Sequence, residues 1–376
     1  MKAHVSGLAR GGLLHAVPVG AIAVAVWPGL GWPVRVVAIT VLLCFWTWTY
    51  IRYRRAGRAQ TALEFEQLRS VRWEAFWRHY NERVPTIEQE FEIWGPYHQH
   101  RHEMRYDLVA DEARRALPEG GRLLDVGCGS ALVADRIADL DVHYVGLDFG
   151  GPHIEYAAKK YAGFKGPLRP SFVRSDAAAM PFADESFDVV VMSEVIEHLI
   201  RPELAVWEVA RILRPGGVFV MTTNNASEVP LRSPLTHPFA WIEKALGATS
   251  PGLISLRPWV WPEKVHTSLL PEGSPDVYLP HTHHIAAQTA AMFAAAGLNT
   301  AEWSTFEFPP PHSLTAKVLE RMNGPGRRLV DVLEAIARSV PLVRRLGTHL
   351  FIVARKTGEA NALSPPPGVW PGPLSD

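Results

Sequence analysis

Cysteine is scarce: the 376 residues hold two, Cys44 inside an apolar run and Cys128 inside a glycine motif. Two thiols build neither a disulfide framework nor a four-thiolate zinc site, and that scarcity suits a reducing compartment for the part carrying Cys128. An excess of either charge is missing too, since Lys plus Arg and Asp plus Glu each number 38. No whole-chain field points to nucleic acid or to an acidic substrate, so any electrostatic function must be local. Internal repeats are absent. The length excludes little, being enough for one large α/β domain with appendages.

Long apolar runs are confined to the N-terminus. Residues 11–51 are almost entirely apolar, with interruptions at Pro28, Gly29, Gly31, Pro33 and Arg35. These leave pieces of roughly 17 and 18 residues, at the short end of what crosses a bilayer as a helix. Trp27 and Trp32 flank the break, while Trp46, Trp48 and Tyr50 precede Arg52, Arg54, Arg55 and Arg58, the order of an aromatic belt followed by cytoplasmic positive charge. The expected arrangement over residues 1–60 is a membrane-anchoring helical hairpin with both ends in the cytoplasm and Arg35 near the far side. A cleaved signal competes, with Lys2 and Arg10 as its basic region and cleavage near Ala21–Ala25; the second run and the arginine cluster argue against removal. A single span or a flat, re-entrant placement also competes, because His15 and Pro18 weaken the first helix.

Residues 61–120 read as a helical linker and cap, with Leu63, Phe65, Leu68, Val71, Trp73, Phe76 and Trp77 at helical spacing and breaks at Pro85 and Gly95–Pro96. After Gly120–Gly121 short apolar strands alternate with helices: RLLDV, HYVGLD, SFVRSD, FDVVVMS and VFVMTT. That alternation marks a parallel sheet with crossover helices. A helix ending at Gly297, a strand in AEWSTFEF and a last strand in HLFIVARK complete a domain over 121–357, with insertions at 225–280 and 312–348. Residues 358–376, rich in Pro, Gly and Ser, read as a disordered tail.

The first of these strands ends in Asp125 and runs into Gly127, Cys128, Gly129 and Ser130, with a helix from Ala131. Glycine suits such a turn because the backbone bends sharply and passes within contact distance of a ligand. The turn alone is weak evidence, shared by many nucleotide sites. A second strand ending in Asp148, about 20 residues on, supplies a carboxylate that can accept hydrogen bonds from ribose hydroxyls.

In these motifs the chain resembles the class I S-adenosylmethionine-dependent methyltransferases, particularly the subgroup that includes quinone and small-molecule methyltransferases. The resemblance is strong over residues 121–225 and continues loosely to 356. LLDVGCGSA, residues 123–131, is similar to the family's first motif, with Ala131 where a third glycine is usual, a departure that a small residue tolerates. GLD, residues 146–148, matches the ribose-binding acid. SDAAAMPFADESFDVVVMSEVIEHL, residues 175–199, matches the adenine-binding stretch and the fourth strand, and ILRPGG, residues 212–217, the turn before the fifth. The resemblance implies a Rossmann-like, mostly parallel seven-stranded sheet with helices on both faces, binding S-adenosylmethionine. It implies Asp125, Gly127, Cys128 and Gly129 at the cofactor turn, Asp148 with Phe149 at the ribose, Asp176 and Ala177 at the adenine, and Met192, Ser193 and Glu194 along the cofactor. A dehydrogenase turn would normally carry three glycines to seat a pyrophosphate on a helix N-terminus, and this turn has no basic residue to receive one.

Methyl transfer from a sulfonium is an in-line displacement that asks chiefly for alignment and exclusion of water, with a base optional. Glu194, Glu197 and His198 follow the fourth strand, whose C-terminal end faces the crevice in such sheets. His198 is the first candidate base, against a role in capping or packing. His98, His100 and His102, and His281, His283 and His284, invite a metal reading. Only His98 and His102 would share a helical face and no thiol completes either set, so no metal is expected. Arg105 is expected to reach the methionine carboxylate, and the second histidine set to line the acceptor pocket.

Phe239, Trp241, Trp259, Trp261 and Tyr278 make the first insertion a lid or acceptor wall, or an ordinary packed excursion. In the second, Leu329, Leu333, Ile336 and Val340 share helical spacing with Arg327, Arg328, Arg338, Arg344 and Arg345. Such a helix can rest on an anionic membrane, but packing on the sheet is the preferred expectation. The expected function is methylation, at oxygen, of a lipophilic or membrane-delivered small molecule such as a lipid or quinone, by a membrane-anchored domain facing the cytoplasm, with no nucleic-acid partner. The alternatives are a soluble acceptor, with the anchor only for location, and a non-catalytic scaffold, against which Asp125, Asp148 and Asp176 argue.

Overall fold

The computed structural model describes residues 18–70, 96–199, 201–226, 238–249, 259–264, 278–308, 324–341 and 343–357. Residues 11–17 of the apolar run, residues 71–95 with Trp73, Phe76, Trp77 and Pro85, parts of both insertions, and the tail 358–376 lie outside them.

Seven strands form one sheet in the order β3-β2-β1-β4-β5-β9-β8. They are β1 (Gly121–Val126), β2 (Val142–Asp148), β3 (Arg169–Arg174), β4 (Phe187–Ser193), β5 (Leu213–Asn224), β8 (Leu298–Phe306) and β9 (His349–Lys356). Neighbours from β3 to β5 pair parallel, and β9 alone runs against its neighbours β5 and β8. Side chains alternate across a strand, and here the alternation feeds two cores. Leu124, Val190, Met192, Phe219, Met221 and Ile352 enter one, while Leu123, Val189, Val191, Val218, Val220 and Val353 enter the other. A sheet buried on both faces reads as near-continuous apolar runs, which is why FDVVVMS and VFVMTT are legible as strands.

Helices α6 (Pro202–Ile212) and α8 (Ala286–Ala295) cover the first face through Ala205, Val206, Val209 and Phe293. The other face is covered by α3 (Pro96–Ala116), α4 (Leu132–Arg136) and α5 (Gly151–Tyr161), through Val109, Ala110, Ala113, Val133, Ala134, Ala157 and Tyr161. Only the C-terminal half of α3 is apolar enough to lie on the sheet. Its N-terminal half, with His100, Arg101, His102 and Arg105, extends to the strands' C-terminal edge, where Glu194, Glu307 and His349 meet it.

The N-terminal run forms α1 (residues 18–26), a turn, and α2 (Trp32–Ser70). Arg35 explains itself at this turn: Nε donates to Leu30 O at 3.0 Å, and Nη2 to Trp27 O at 2.9 Å and Pro28 O at 3.1 Å, satisfying carbonyls left over after α1. Pro33 sits in the first turn of α2, where no amide bond is lost. Helix α2 continues past residue 60, so anchor and linker share one helix of 39 residues. Its segment Trp32–Arg52 is long and apolar enough to cross a membrane. Val34, Val36, Val37, Ile39, Val41 and Leu43 are exposed on it, while Ala38, Leu42 and Thr49 are buried. Helix α2 packs against α7 (Pro238–Thr249) and against the antiparallel pair β6 (Trp259–Lys264) and β7 (Tyr278–His283), of which α7 and β6 lie within the first insertion and β7 closes it. The β6–β7 pair has no strand signal in the sequence, because prolines at 262 and 280 interrupt both runs.

In the second insertion α9 (Pro325–Ser339) packs on the edge strand β8, but not through its apolar stripe. It buries Gly326, Val330 and Glu334, while Leu329, Leu333, Ile336 and Val340 lie 41% to 55% exposed. Its inward face is fixed by polar bonds: Glu334 accepts from the amides of Glu307 and Phe308, both at 3.0 Å, and Asp331 lies 2.6 Å from His100 Nε2.

Candidate active site

At the ends of β1 and β2 the site is shaped mainly by backbone. The amides of Gly127 and Cys128 both donate to Leu147 O, at 2.7 and 3.0 Å, which straps the turn after β1 to β2. Asp148 Oδ2 accepts from Gly129 N at 2.9 Å and Oδ1 from Gly150 N at 2.7 Å. One carboxylate thus joins the glycine turn to the start of α5, with lone pairs to spare. Gly127, at φ 70°, admits no Cβ, which would meet Val195 Cγ2 at 2.2 Å. Gly129, at φ 49°, would direct a Cβ into space with nothing within 4 Å. That opening beside Asp148 is a cradle of the kind an adenosine-bearing ligand requires.

The other expected cofactor residues differ in what they offer. Asp125 is buried and accepts the Tyr144 hydroxyl at 2.7 Å; burial, with Asp148 nearby, raises its carboxyl to about 7. Cys128 is buried, and burial raises its thiol. Phe149 is half-buried, its carbonyl accepting from Arg174 Nε at 3.1 Å. Asp176 is exposed and turns the chain by accepting from Ala178 N at 2.8 Å, while Ala177 is buried. The side chain of Met192 belongs to the core, and Ser193 Oγ lies 2.9 Å from Thr222 Oγ1. For both residues the backbone is the part left to face a ligand.

At the ends of β4, β8 and β9 the site is made of charges. Glu194, at φ 56°, and Glu307, at φ 57°, both occupy left-handed backbone, a conformation that persists in ordinary residues where surroundings enforce it. His349 bridges them, with Nε2 3.2 Å from Glu194 and Nδ1 3.0 Å from Glu307. Arg105 Nη2 donates to Glu307 at 3.2 Å, and Arg101 pairs with Glu307 and donates to Thr348 Oγ1 at 3.0 Å. Burial opposes every one of these charges, but the partners win. Arg105 and His349 hold the Glu194 carboxyl well below its usual range, Arg101, His349 and Arg105 do the same for Glu307, and the two carboxylates raise His349 to about 9. His102, buried beside Arg105, is driven down to about 3 and stays neutral.

Glu197 is fully buried on the 3₁₀ turn Ile196–His198, accepting from Thr223 Oγ1 at 2.9 Å and Asn224 Nδ2 at 3.4 Å. Burial, and next the charge of Glu194, raise its carboxyl well above the usual range. His198 is half-buried on the same turn. Arg105 Nε and Glu194 Oε1 face each other at 3.6 Å, both buried and without a hydrogen bond.

The structure thus brings Arg105, Glu194 and Glu197 together with Arg101, Glu307 and His349, which the sequence reading does not single out. The available signal was a charged residue directly flanking an apolar strand: Glu307 follows β8, and His349 opens β9. Among the described residues no group of three His, Cys, Asp or Glu side chains is placed to hold a metal ion. His100 is engaged by Asp331, and His283 and His284 are buried at the end of β7.

A glycine turn ending β1, an acid ending β2 and a strand β9 running antiparallel between β5 and the edge strand β8 define a Rossmann-like domain with an adenosine-type site at the strands' C-terminal edge. Residues 124–221 match the family model described as a methyltransferase domain. A probable S-adenosylmethionine-dependent methyltransferase of Mycolicibacterium smegmatis is 36% identical over 125 residues, covering 33% of this chain and 44% of that protein. A demethylmenaquinone methyltransferase of Clavibacter sepedonicus is 33% identical over 112 residues, 30% of this chain and 44% of that protein. A ubiquinone biosynthesis O-methyltransferase of Mesorhizobium japonicum is 35% identical over 115 residues, 30% and 45% respectively. Residues 124–221 are thus a methyltransferase domain similar to those of S-adenosylmethionine-dependent enzymes, and the chain spans under half the length of these relatives.

Proposed function

We propose that the chain moves a methyl group from S-adenosylmethionine to a lipophilic small molecule held in or delivered by a membrane, with oxygen as the target atom. The observation that carries this reading is the packing of the apolar helix α2 against the insertion after β5, with Trp46 and Tyr50 edge-on to Phe239 at 6.2 and 6.3 Å. An acceptor leaving the bilayer beside α2 meets that insertion first. Tethering raises its effective concentration, and the quinone names of two relatives support the acceptor class. Arg52, Arg54, Arg55 and Arg58 after the apolar segment favour a cytoplasmic catalytic domain.

S-adenosylmethionine, when bound, supplies an electrophilic methyl on a sulfonium. The residues present fit it. Gly127, Cys128 and Gly129 give it room, Asp148 has lone pairs for the ribose hydroxyls, Asp176 and the backbone of Ala177 receive the adenine, and the backbone of Met192 and Ser193 lines it. Arg105 Nε and Glu194 Oε1, each lacking a hydrogen bond, would take its amino-acid end. Asp125, holding Tyr144 beneath the turn, acts on the ligand through the turn's shape. Glu197 is fully buried and committed to Thr223 and Asn224, and Glu194 to Arg105 and His349. His198 is therefore the proposed base. His198→Asn lowers kcat about 100-fold, with cofactor affinity unchanged.

The test incubates the full chain in membranes with methyl-labelled S-adenosylmethionine and follows the label. Label in the organic phase, on a lipid or quinone hydroxyl, is expected. Label confined to soluble products overturns the lipophilic acceptor, and absence of cofactor binding in calorimetry overturns the enzyme.

A further inference from the structure

Helix α9 is amphipathic in the reverse sense for a helix of a globular domain. The face it turns to the protein is polar: Glu334 binds the amides of Glu307 and Phe308, Asp331 meets His100, and Arg327 Nη2 donates to Glu103 at 2.7 Å. The face it turns outward carries Leu329, Val332, Leu333, Ile336 and Val340, all more than 40% exposed. An exposed apolar stripe of five large side chains in twelve residues is costly in water and marks an interaction surface.

Two observations identify what covers it. The first is charge. Both acids of α9 have partners, Glu334 buried against the amides of Glu307 and Phe308 and Asp331, half-exposed, paired with His100, whereas Arg328 and, just beyond the helix, Arg344 are exposed, so the charge beside the apolar side chains is mainly cationic. The second is continuity with α2. Phe239 of α7 meets Trp46 and Tyr50 edge-on, at the aromatic end of the apolar segment where a bilayer's headgroups begin. One and two helical turns on, Ile242 and Leu246 of α7 are 53% and 40% exposed. Trp241 and Ala245 of α7 pack on Leu346, which follows the 3₁₀ turn Val343–Arg345 after α9. Exposed apolar residues thus lie on α2, α7 and α9; α2 contacts α7 directly, and the turn Val343–Arg345 with Leu346 links α7 to α9.

We infer that α9 and α7 lie on the anionic surface of the bilayer leaflet that α2 enters, seating Leu329, Val332, Leu333 and Ile336 among the acyl chains and Arg328 and Arg344 among acidic headgroups. The inference rests on the membrane reading of α2 and extends it. Because α9 holds the residues following β8, this seating turns the charged end of the site, and so acceptor entry, toward the membrane.

A photo-crosslinking residue is placed singly at Ile39 in α2, Leu333 in α9 and Phe164, an exposed apolar residue before β3, in the full chain reconstituted into vesicles of phosphatidylcholine with phosphatidylglycerol. Lipid adducts are expected at 39 and 333 and not at 164. The adduct at 333 should fall at least about fivefold in phosphatidylcholine alone or in R328E/R344E, with that at 39 unchanged. An adduct at 39 with none at 333, or one at 333 formed with another stretch of this chain or a second copy, overturns the inference and leaves the anchor standing. An adduct at 333 insensitive to lipid charge and to R328E/R344E overturns the anionic part. No adduct at 39 overturns the anchor itself.

Discussion

At the ends of β1 and β2 the site is held by short-range bonds, such as the one from Gly129 N to Asp148, 19 residues apart. At the ends of β4, β8 and β9 it is held by ion pairs such as Arg101 with Glu307 and Arg105 with Glu307, 206 and 202 residues apart. The first region leaves space for a ligand, and its shape is set by where glycine is allowed. The second is dense with buried charge and fixes two residues in left-handed backbone. In the proposed function the adenosine half of the cofactor is met largely by backbone, while its amino-acid end meets buried side chains brought together from distant parts of the chain.

The comparison breaks most visibly at Glu307. Glu307→Gln leaves Arg101, Arg105 and His349 buried with Glu194 as their remaining carboxylate, and removing one partner from such a cluster costs about 3–5 kcal/mol. Denaturant unfolding of the full chain in detergent measures it. A loss below about 1 kcal/mol would mean that the charges are solvated and do not hold α3 to the sheet edge.

The two regions also separate by pH. His349 is raised from 6.5 to about 9, so its contribution is complete below pH 6.5 and disappears as pH rises through about 9, on the order of 3 kcal/mol at most. Asp125 is raised from 3.8 to about 7. The fold favours its protonated form, and the associated stability, present below pH 3.8, is lost as pH rises through about 7. His349→Gln should flatten stability between pH 6.5 and 9, and Asp125→Asn between pH 4 and 7, leaving the other window intact. One variant flattening both windows would show that the regions titrate as a unit.

What the sequence made legible follows the same division. Asp125, Gly127, Gly129 and Asp148 announce themselves because strand, turn and acid are neighbours in the chain and glycine has few other reasons to stand there. Glu307 and His349 are ordinary charged residues until β8 and β9 pair and align Phe306 with His349. The outward face of α9 is illegible in the sequence for a related reason. Apolar periodicity identifies a face but not which way it turns, and here the polar bonds of Glu334 and Asp331 decide.

Gly129→Ala probes the cofactor region with a smaller change. The added methyl meets nothing within 4 Å, so stability falls only by the cost of left-handed backbone, about 1 kcal/mol. It fills the opening beside Asp148, and affinity for S-adenosylmethionine in calorimetry should drop at least about tenfold, 1.4 kcal/mol. An unchanged affinity would mean that the ligand does not approach this turn.

The smallest effect is expected at Ala131, which stands where the family usually has glycine and adopts φ 57°, ψ 45°. Left-handed backbone costs an alanine about 1–2 kcal/mol. Its methyl is fully buried among Val133, Ile137 and Leu123, which returns about 0.8 kcal/mol, and glycine would add about 0.4–1 kcal/mol of unfolded-state entropy. These terms nearly cancel, so Ala131→Gly should change stability by less than about 0.5 kcal/mol. A gain above about 1 kcal/mol would show that the strain is uncompensated, and the cofactor turn would then resemble the charged end of the site, where Glu194 and Glu307 are held in left-handed backbone by partners elsewhere in the fold.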